Sequence, residues 1–319
     1  MECKEIYFKG EEDLDIHVYK WSHEYIEPKA VVQIAHGMSE TAIRYEEFAK
    51  NLTEQGYIVY INDHRGHGKT AKEIDNLGYL AKKDGFTCLV KDMNALTNII
   101  KEENEGLPVF LLGHSMGSFA SQRYIMDYGD NLSGLILSGS NGKHGLKLKV
   151  VELIASMEIK KHGRKYRSKR LDSLIFGGHN RNFKPAKTEF DWLSRDKKEV
   201  QKYIDDPFCG VLFTCGFFYD FIKGLQEIEN KDNLRKVPNN LPIYIMSGDK
   251  DPVGENGKGV LRLRDRYESL GVKDLSYKLY KGGRHEMLNE INKDEVINDI
   301  IYWLENRYTE INGVTIEDN

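Results

Sequence analysis

Short apolar runs recur along the chain and are separated by segments with helical periodicity. Each run is rich in Val, Ile, Leu and Tyr and does not alternate with polar residues, which is typical of parallel strands covered on both faces. The runs occupy residues 30–35, 57–61, 107–112, 134–138 and 241–246. Helical patterns at 45–52, 86–96 and 296–304 lie among them. Strands alternating with helices predict βαβ units and a mostly parallel sheet.

The first twenty residues follow another pattern. Apolar Leu14, Ile16 and Val18 alternate with more polar neighbours, and an acidic turn at 10–13 separates them from the apolar residues 6–8. Alternation is typical of a strand with one solvated face. We therefore predict an antiparallel hairpin on the N-terminal edge of the sheet.

Residues 141–237 contain no run of the parallel-strand kind. We predict that they form a helical lid inserted into a core made of residues 1–140 and 238–319. Within the insert, residues 143–170 hold ten Lys or Arg and two acids, a net charge of +8 in a chain whose total is −4. Six aromatic residues then crowd into positions 208–221.

Composition narrows the class of protein. The 319 residues are 40% apolar and 30% charged, as in soluble globular proteins. No stretch approaches the roughly 18 consecutive apolar residues of a membrane span, and the net charge of −4 argues against nucleic-acid binding. The four cysteines lack metal-ligand spacing, and the charged residues 1–5 are unlike a signal peptide. We expect a cytoplasmic protein.

A candidate nucleophile lies in Gly113-His114-Ser115-Met116-Gly117, a G-x-S-x-G motif. It follows an apolar run and precedes a helical pattern, which is the strand–turn–helix context of a nucleophile elbow. The glycines leave backbone room for a sharp turn that exposes the serine hydroxyl. This context favours a nucleophile over an ordinary Gly/Ser turn.

The partners of such a serine follow it along the chain as an acid and then a histidine. His285 is the histidine that follows the last strong strand pattern, so it is the candidate base, with a surface-loop histidine as the alternative. The turn after residues 241–246 offers two acids, Asp249 and Asp251. The residues alone do not separate them.

An oxyanion hole needs two N–H donors, one directly after the nucleophile and one after an earlier strand. Met116 supplies the first, and Met38 follows the run at 30–35. A plain strand-ending turn is the alternative for residues 36–38. Asp63, His64 and His67 could be read as metal ligands, but their spacing fits no zinc pattern and favours a structural loop. We expect no metal and no cofactor.

These motifs carry a family resemblance. The segments HGMSE at 36–40, DHRGHG at 63–68, GHSMG at 113–117 and GDKD at 248–251, together with His285, resemble the monoacylglycerol lipase and lysophospholipase family of α/β hydrolases. The resemblance runs through most of 30–140 and 240–306, and covers the insert only loosely. It implies the α/β-hydrolase fold, selects Asp251 as the acid, and assigns the oxyanion donors to Met38 and Met116.

The resemblance implies a serine hydrolase that cleaves carboxylic esters of lipid-like substrates through an acyl-enzyme. Small soluble esters, aminopeptidase-like hydrolysis and a non-catalytic binding protein are the alternatives. We expect the insert's rings to line an acyl pocket, or else to form the insert's own core; these rings are Phe208, Phe213, Phe217 and Phe218. The basic insert could also rest on an anionic membrane, or form a solvated lid packed on the core.

Overall fold

The computed structural model describes residues 1–143, 145 and 147–313. Within them, eight strands form one sheet in the order β1-β2-β4-β3-β5-β6-β7-β8. The first two strands and the β2–β4 pairing are antiparallel, and the other pairings are parallel. The strands are β1 (Glu2–Lys9), β2 (Asp15–Ser22), β3 (Ala30–Ala35), β4 (Tyr57–Asn62), β5 (Val109–His114), β6 (Gly134–Ser138), β7 (Ile243–Gly248) and β8 (Leu275–Tyr280).

Helices cover both faces of this sheet. The α-helices are α1 (Glu46–Glu54), α2 (Gly85–Glu103), α3 (Met116–Tyr128), α4 (Lys147–His162), α5 (Lys169–Phe176), α6 (Lys197–Asp205), α7 (Cys215–Ile228), α8 (Lys231–Leu234), α9 (Lys258–Ser269) and α10 (Lys293–Asn312). Short 3-10 segments occur at Glu11–Asp13, Ala42–Tyr45, Gly68–Ala71, Ile74–Asn76, Gly129–Asn131, His179–Asn182 and Met287–Asn289.

The predicted mostly parallel sheet and its antiparallel N-terminal edge are both present. Two strands begin two residues later than the apolar runs suggested, β5 at Val109 and β7 at Ile243. Each run contains a proline, Pro108 or Pro242, which has no N–H to donate to a ladder. Both strands therefore start directly after the proline, although each proline carbonyl still accepts a bond from a neighbouring strand.

The core lies in two layers, one on each face of the sheet. Along β3, Val31 and Ala35 face a layer that includes α2, α3, α7 and α9, whereas Val32 and Ile34 face α1 and α10. Every residue of β3 through β7 is buried. Burial on both faces explains why these strands appear as continuous apolar runs.

The described residues between β6 and β7 add no strand to the sheet and contain α4 to α8. Their helix α7 packs on α2, α3 and α4, so part of the segment belongs to the same hydrophobic core as the sheet. The boundaries 141–237 and the lid role remain predictions. No helix in the described part of the chain has both the length and the apolar composition needed to cross a bilayer.

Helix α5 offers a matched test of this packing. Leu171 is fully buried in the core, whereas Leu174, three residues further along the same helix, is 50% exposed. We expect Leu171→Ala to destabilise the protein by about 2–5 kcal/mol, because it removes buried methyl groups and leaves a cavity. Leu174→Ala should change stability by less than about 0.5 kcal/mol. Thermal unfolding measures both, and equal losses would contradict the packing described.

Candidate active site

Ser115 occupies a sharp turn between β5 and α3. Its backbone has φ 52° and ψ −117°, a strained conformation for a residue with a side chain. The flanking glycines are required sterically. A Cβ on Gly117 would lie 2.0 Å from the carbonyl oxygen of Ala35, and one on Gly113 would lie 2.4 Å from Ser121 Oγ. The turn therefore presses α3 against the end of β3 and lifts the serine hydroxyl above the sheet.

A chain of hydrogen bonds joins Ser115, His285 and Asp251. Nε2 of His285 lies 2.9 Å from Ser115 Oγ, and Nδ1 lies 2.9 Å from Asp251 Oδ1. An ionised carboxylate only accepts hydrogen bonds, so Nδ1 carries the proton and Nε2 is free to accept from the serine hydroxyl. The structure thus brings together the three side chains selected from the sequence. This geometry suits proton transfer from serine to histidine.

The two candidate acids have different surroundings. Asp251 is fully buried, and it also accepts from Ser247 Oγ at 2.9 Å and from the Val253 N–H at 2.9 Å. Asp249 is partly exposed and instead accepts the Gly282 N–H at 2.7 Å, which ties its turn to the loop after β8. The contact with His285 therefore belongs to Asp251.

Burial and charge act in opposite directions on this pair. Burial alone would raise the pKa of the Asp251 carboxyl, but the charge and hydrogen bond of His285 hold it below its ordinary value. Burial alone would lower the pKa of His285, but Asp251 raises it above the usual range. The pair therefore favours an ionised aspartate and stabilises an imidazolium once a proton arrives.

The turn after β3 also lies next to Ser115. A Cβ on Gly37 would lie 3.2 Å from Ser115 Cβ, so the two backbones are in close contact. The Gly37 N–H donates to the Glu40 carboxylate at 2.5 Å, and Met38 lines the cleft beside Ser115. Met116 is the first residue of α3, where helix amides have no acceptor within the helix. Both predicted oxyanion donors thus lie on segments adjoining Ser115.

His285 is flanked by two rings. Its imidazole lies 4.8 Å from that of His114 and 4.9 Å from the indole of Trp192, measured between ring centroids. The backbone is joined as well, because His285 N–H donates to the Trp192 carbonyl at 3.4 Å and Glu286 N–H to that of Leu193 at 2.8 Å. A segment between β6 and β7 therefore forms one side of the site.

A cleft of about 580 Å³ opens above Ser115. Most of the apolar side chains in its wall come from the segment between β6 and β7, including Phe176, Phe190, Trp192 and Tyr203. Charged residues also line it, namely Glu40, Lys169, Asp172, Glu189 and Glu286. The volume and mixed lining suit a small organic ligand with an apolar part.

The rings expected to line an acyl pocket lie elsewhere. Phe213, Phe217 and Phe218 are at most 1% exposed and belong to the core layer shared with α2 and α3. Phe208 is half-buried in the turn after α6, where its N–H donates to Asp206 at 2.8 Å. The acyl-pocket prediction is therefore corrected in favour of the core alternative for Phe213, Phe217 and Phe218: α7 turns its aromatic face toward α2 and α3, and other rings line the cleft.

Hydrogen bonds to Asp63 hold the loop after β4 in place. Asp63 accepts from the N–H groups of Ala42 and Lys69, at 2.9 Å and 3.0 Å, and from Nδ1 of His17 at 3.1 Å. These bonds occupy the carboxylate and hold the loop against β2 and the residues before α1. Burial lowers the pKa of the nearby His67 to about 3, so this imidazole is neutral near pH 7.

Sequence reasoning missed a second set of polar residues beside the site. Arg44 bonds to the carboxylates of both Glu40 and Glu286, and all three side chains are largely buried. The spacing of Glu40 and Arg44, four residues apart, was the available signal. Their contact with Glu286 is long-range and has no counterpart in the local sequence.

Comparison with known proteins identifies the fold. A family model described as "Serine aminopeptidase, S33" matches residues 26–292. A carboxyl esterase from Bacillus coagulans, solved in complex with glycerol, superposes with a TM-score of 0.89 at 29% identity, covering 97% of this chain and 99% of that one. These matches and the sheet confirm the predicted α/β-hydrolase fold.

Curated relatives cover most of the chain. A monoacylglycerol lipase of Mycolicibacterium smegmatis is 29% identical over 87% of this chain and 89% of its own length. A monoglyceride lipase of Rattus norvegicus is 27% identical over 88% of this chain and 84% of its own. A probable lysophospholipase of Haemophilus influenzae is 24% identical over 86% and 84%. The resemblance found in the motifs is confirmed.

The different surroundings of the two aspartates lead to a test. We expect Asp251→Asn to slow the reaction of Ser115 with a fluorophosphonate by on the order of 10³- to 10⁴-fold, because the amide favours the wrong histidine tautomer. Asp249→Asn should change the rate less than about fivefold, since it alters only a turn. Labelling rates measured by mass spectrometry compare them, and the reverse ranking would assign the acid to Asp249.

Proposed function

We propose that this chain, which belongs to the serine aminopeptidase S33 family of α/β hydrolases, hydrolyses carboxylic esters of lipid-like substrates such as monoacylglycerols or lysophospholipids. The observation that carries the proposal is the hydrogen-bonded chain Ser115–His285–Asp251 at the base of a cleft with several aromatic side chains in its wall. Similarity to the lipases of M. smegmatis and R. norvegicus supports the substrate class.

The proposed reaction proceeds through an acyl-enzyme. His285 Nε2 takes the hydroxyl proton while Ser115 Oγ attacks the ester carbonyl carbon. The Met38 and Met116 N–H groups hold the oxyanion of the tetrahedral intermediate. Its collapse breaks the carbon–oxygen bond, and His285 donates the proton to the leaving alcohol. Water then attacks the acyl group by the same route, releasing the acid and restoring Ser115.

Asp251 has two roles in this scheme. Its carboxylate accepts the Nδ1 proton of His285 and so fixes the tautomer in which Nε2 is a base. It also stabilises the imidazolium that forms when Ser115 is deprotonated. Because the pKa of His285 is raised, the base becomes protonated as the pH falls through a value above the ordinary one. The proposed activity is therefore lost on the acid side.

A second candidate substrate class comes from charges in the cleft. Asp172 and Glu189 both line it, and burial together with Glu189 raises the pKa of Asp172. Two carboxylates could hold the ammonium group of an amino-acid amide, which an aminopeptidase-like hydrolase must recognise. Because the cationic Lys169 lines the same cleft, ester hydrolysis remains the favoured proposal.

A substrate panel tests the proposal. We expect release of fatty acid from monoacylglycerols or lysophosphatidylcholine, and little release of p-nitroaniline from aminoacyl p-nitroanilides. Ser115→Ala should lower ester turnover by more than about 10³-fold, because the acyl-enzyme cannot form. Faster cleavage of the anilides would favour the second candidate. Unchanged turnover in Ser115→Ala would disprove the mechanism.

The proposal also includes contact between the insert and a membrane surface, where a lipid substrate resides. Helix α4 is apolar on two sides. Its Leu148 and Ala155 are buried against the core, whereas Val150, Leu153 and Met157 are 59%, 62% and 57% exposed. A helix with a second apolar face in water is typical of a segment that rests on another surface.

Basic residues near the exposed apolar face of α4 favour an anionic lipid surface as the partner of this face. Lys149, Lys160 and Lys161 are exposed on α4 itself. Two other basic residues of the insert are already engaged: Arg164 pairs with Asp220 at 2.5 Å, and Arg167 donates to backbone carbonyls. The three lysines are therefore the better candidates for contact with lipid headgroups.

Vesicle binding tests this contact. Replacement of Lys149, Lys160 and Lys161 by Gln should weaken binding to vesicles containing phosphatidylglycerol, by about 1 kcal/mol for each charge at low salt. Binding should also fall as salt rises, because the Debye length shrinks to about 8 Å at physiological ionic strength. The matched control replaces three exposed lysines outside the insert, Lys258, Lys273 and Lys281. Equal binding to neutral and anionic vesicles would exclude the contact.

A further inference from the structure

Two segments must keep a fixed position relative to Ser115 if the proposed reaction is to occur. One is the turn at 36–40, which carries the Met38 N–H, and the other is the loop after β8, which carries His285. They are far apart in sequence and follow different strands. Arg44 is bonded to both of them, and no step of the proposed reaction uses it.

The first link runs through Glu40. One oxygen of its carboxylate accepts the Gly37 N–H at 2.5 Å and the Tyr45 hydroxyl at 3.0 Å. The other accepts from Arg44 Nη1 at 2.6 Å. Because the Gly37 N–H is occupied in this way, it is not available to an oxyanion, and the predicted donor is the N–H of the next residue, Met38. The bond therefore sets the orientation of the peptide groups at 37–38.

The second link runs through Glu286, the residue after His285. Its two oxygens accept from Arg44 Nη1 and Nη2 at 2.8 Å and 2.7 Å, a bidentate pairing with defined geometry. Asn289 Nδ2 adds a bond of 2.9 Å to the same carboxylate. The Arg44 and Glu286 side chains are only 11% and 6% exposed, so solvent screens the pairing weakly.

A third contact joins Arg44 to the wall of the cleft. Its guanidinium lies 4.9 Å from the centre of the Tyr203 ring, which belongs to α6 and lines the cleft. A cation over an aromatic face is held by the ring quadrupole. Arg44 therefore contacts three parts of the site at once. These are the turn at 36–40 (the oxyanion turn), the loop after β8 that carries His285 and Glu286 (the base loop), and the wall of the cleft.

Glu40, Arg44 and Glu286 also contribute to the electrostatic surroundings of His285. Asp251, Glu286 and Glu40 raise the pKa of His285, whereas burial, and after it the charge of His285, lowers the pKa values of His114 and His179. Burial alone would raise the pKa of Glu286, but Arg44 holds it well below its ordinary value. Glu40, Arg44 and Glu286 are two carboxylates and one guanidinium, so their formal charges sum to −1 beside the imidazole.

We infer that Arg44 is a positioning residue for hydrolysis: through Glu40 and Glu286 it fixes the oxyanion turn and the base loop relative to Ser115. The inference rests on the proposed function, because it concerns the same serine and histidine. It adds a residue that contacts neither substrate nor reacting atoms, and it gives the two carboxylates a role beyond stability.

A matched pair of arginine variants tests the inference. Arg123 is 13% exposed and also bridges two carboxylates, those of Asp127 and Glu227, on the far part of α3. Arg44→Met should lower kcat for a soluble p-nitrophenyl ester by about 10- to 100-fold with KM within about threefold, since small misplacements of reacting groups are costly. Arg123→Met should keep kcat within about twofold, even if both variants lower Tm equally.

Conservative replacement separates charge from geometry. Arg44→Lys keeps the positive charge but lacks the planar fork, so it should recover less than half of the lost kcat. The rate at which a fluorophosphonate labels Ser115 should fall in parallel with kcat. Equal kcat and labelling rates in Arg44→Met and Arg123→Met would overturn the inference.

A pH profile provides a second measurement, which still decides the question if Arg44→Met does not fold. Glu286→Gln is nearly isosteric and removes one negative charge beside His285. The pKa of the imidazolium should fall, so the acid limb of kcat/KM should move to lower pH by about 0.5 to 1 unit. An unchanged acid limb in folded Glu286→Gln would count against the inference.

Failure of this inference and failure of the proposed function would give different results. If wild-type protein cleaves no ester of the panel but a fluorophosphonate labels Ser115, the substrate class is wrong, and the labelling rates of the Arg44 variants still test positioning. If wild type cleaves esters and Ser115→Ala does not, the function stands whatever the Arg44 variants show.

Discussion

The site depends on one steric contact, that between the start of α3 and the end of β3. Gly117 approaches the Ala35 carbonyl so closely that a Cβ would lie 2.0 Å from it. This approach forces Ser115 into a left-handed backbone conformation and places it against Gly37. Strain at Ser115, of the order of 1–3 kcal/mol, is sustained by the fully buried strands on either side. The other segments of the site are arranged around that point.

The parts that could be predicted from the sequence are those encoded locally or by chain order. Burial on both faces leaves continuous apolar runs, so the central strands were recognisable, with errors where Pro108 and Pro242 delay a strand. A serine between glycines after such a run indicates the elbow. The order of serine, acid and histidine then leads to His285. None of these steps needs knowledge of packing.

The parts that escaped prediction depend on long-range contacts. Asp249 and Asp251 share one turn, so the local pattern alone did not separate them, and the choice of Asp251 came from the family resemblance. Helix α7 is aromatic along the face that meets α2 and α3, and no local pattern says whether such a face meets the core or a ligand. Arg44 joins segments 242 residues apart in sequence. A buried ion pair of this kind becomes visible only once the sheet has assembled.

The segment between β6 and β7 supports the site through backbone atoms as well as through the side chains in the cleft wall. The carbonyls of Trp192 and Leu193 accept from the N–H groups of His285 and Glu286, and the Gly210 N–H donates to the Ser39 carbonyl of the turn at 36–40 at 3.0 Å. Such bonds depend on where the chain passes and hardly at all on side-chain identity. A segment that contributes backbone bonds can therefore support both neighbouring turns without depending on the identity of each of its side chains. Divergence at the cleft-lining positions can then change the substrate without disturbing the hydrolytic geometry.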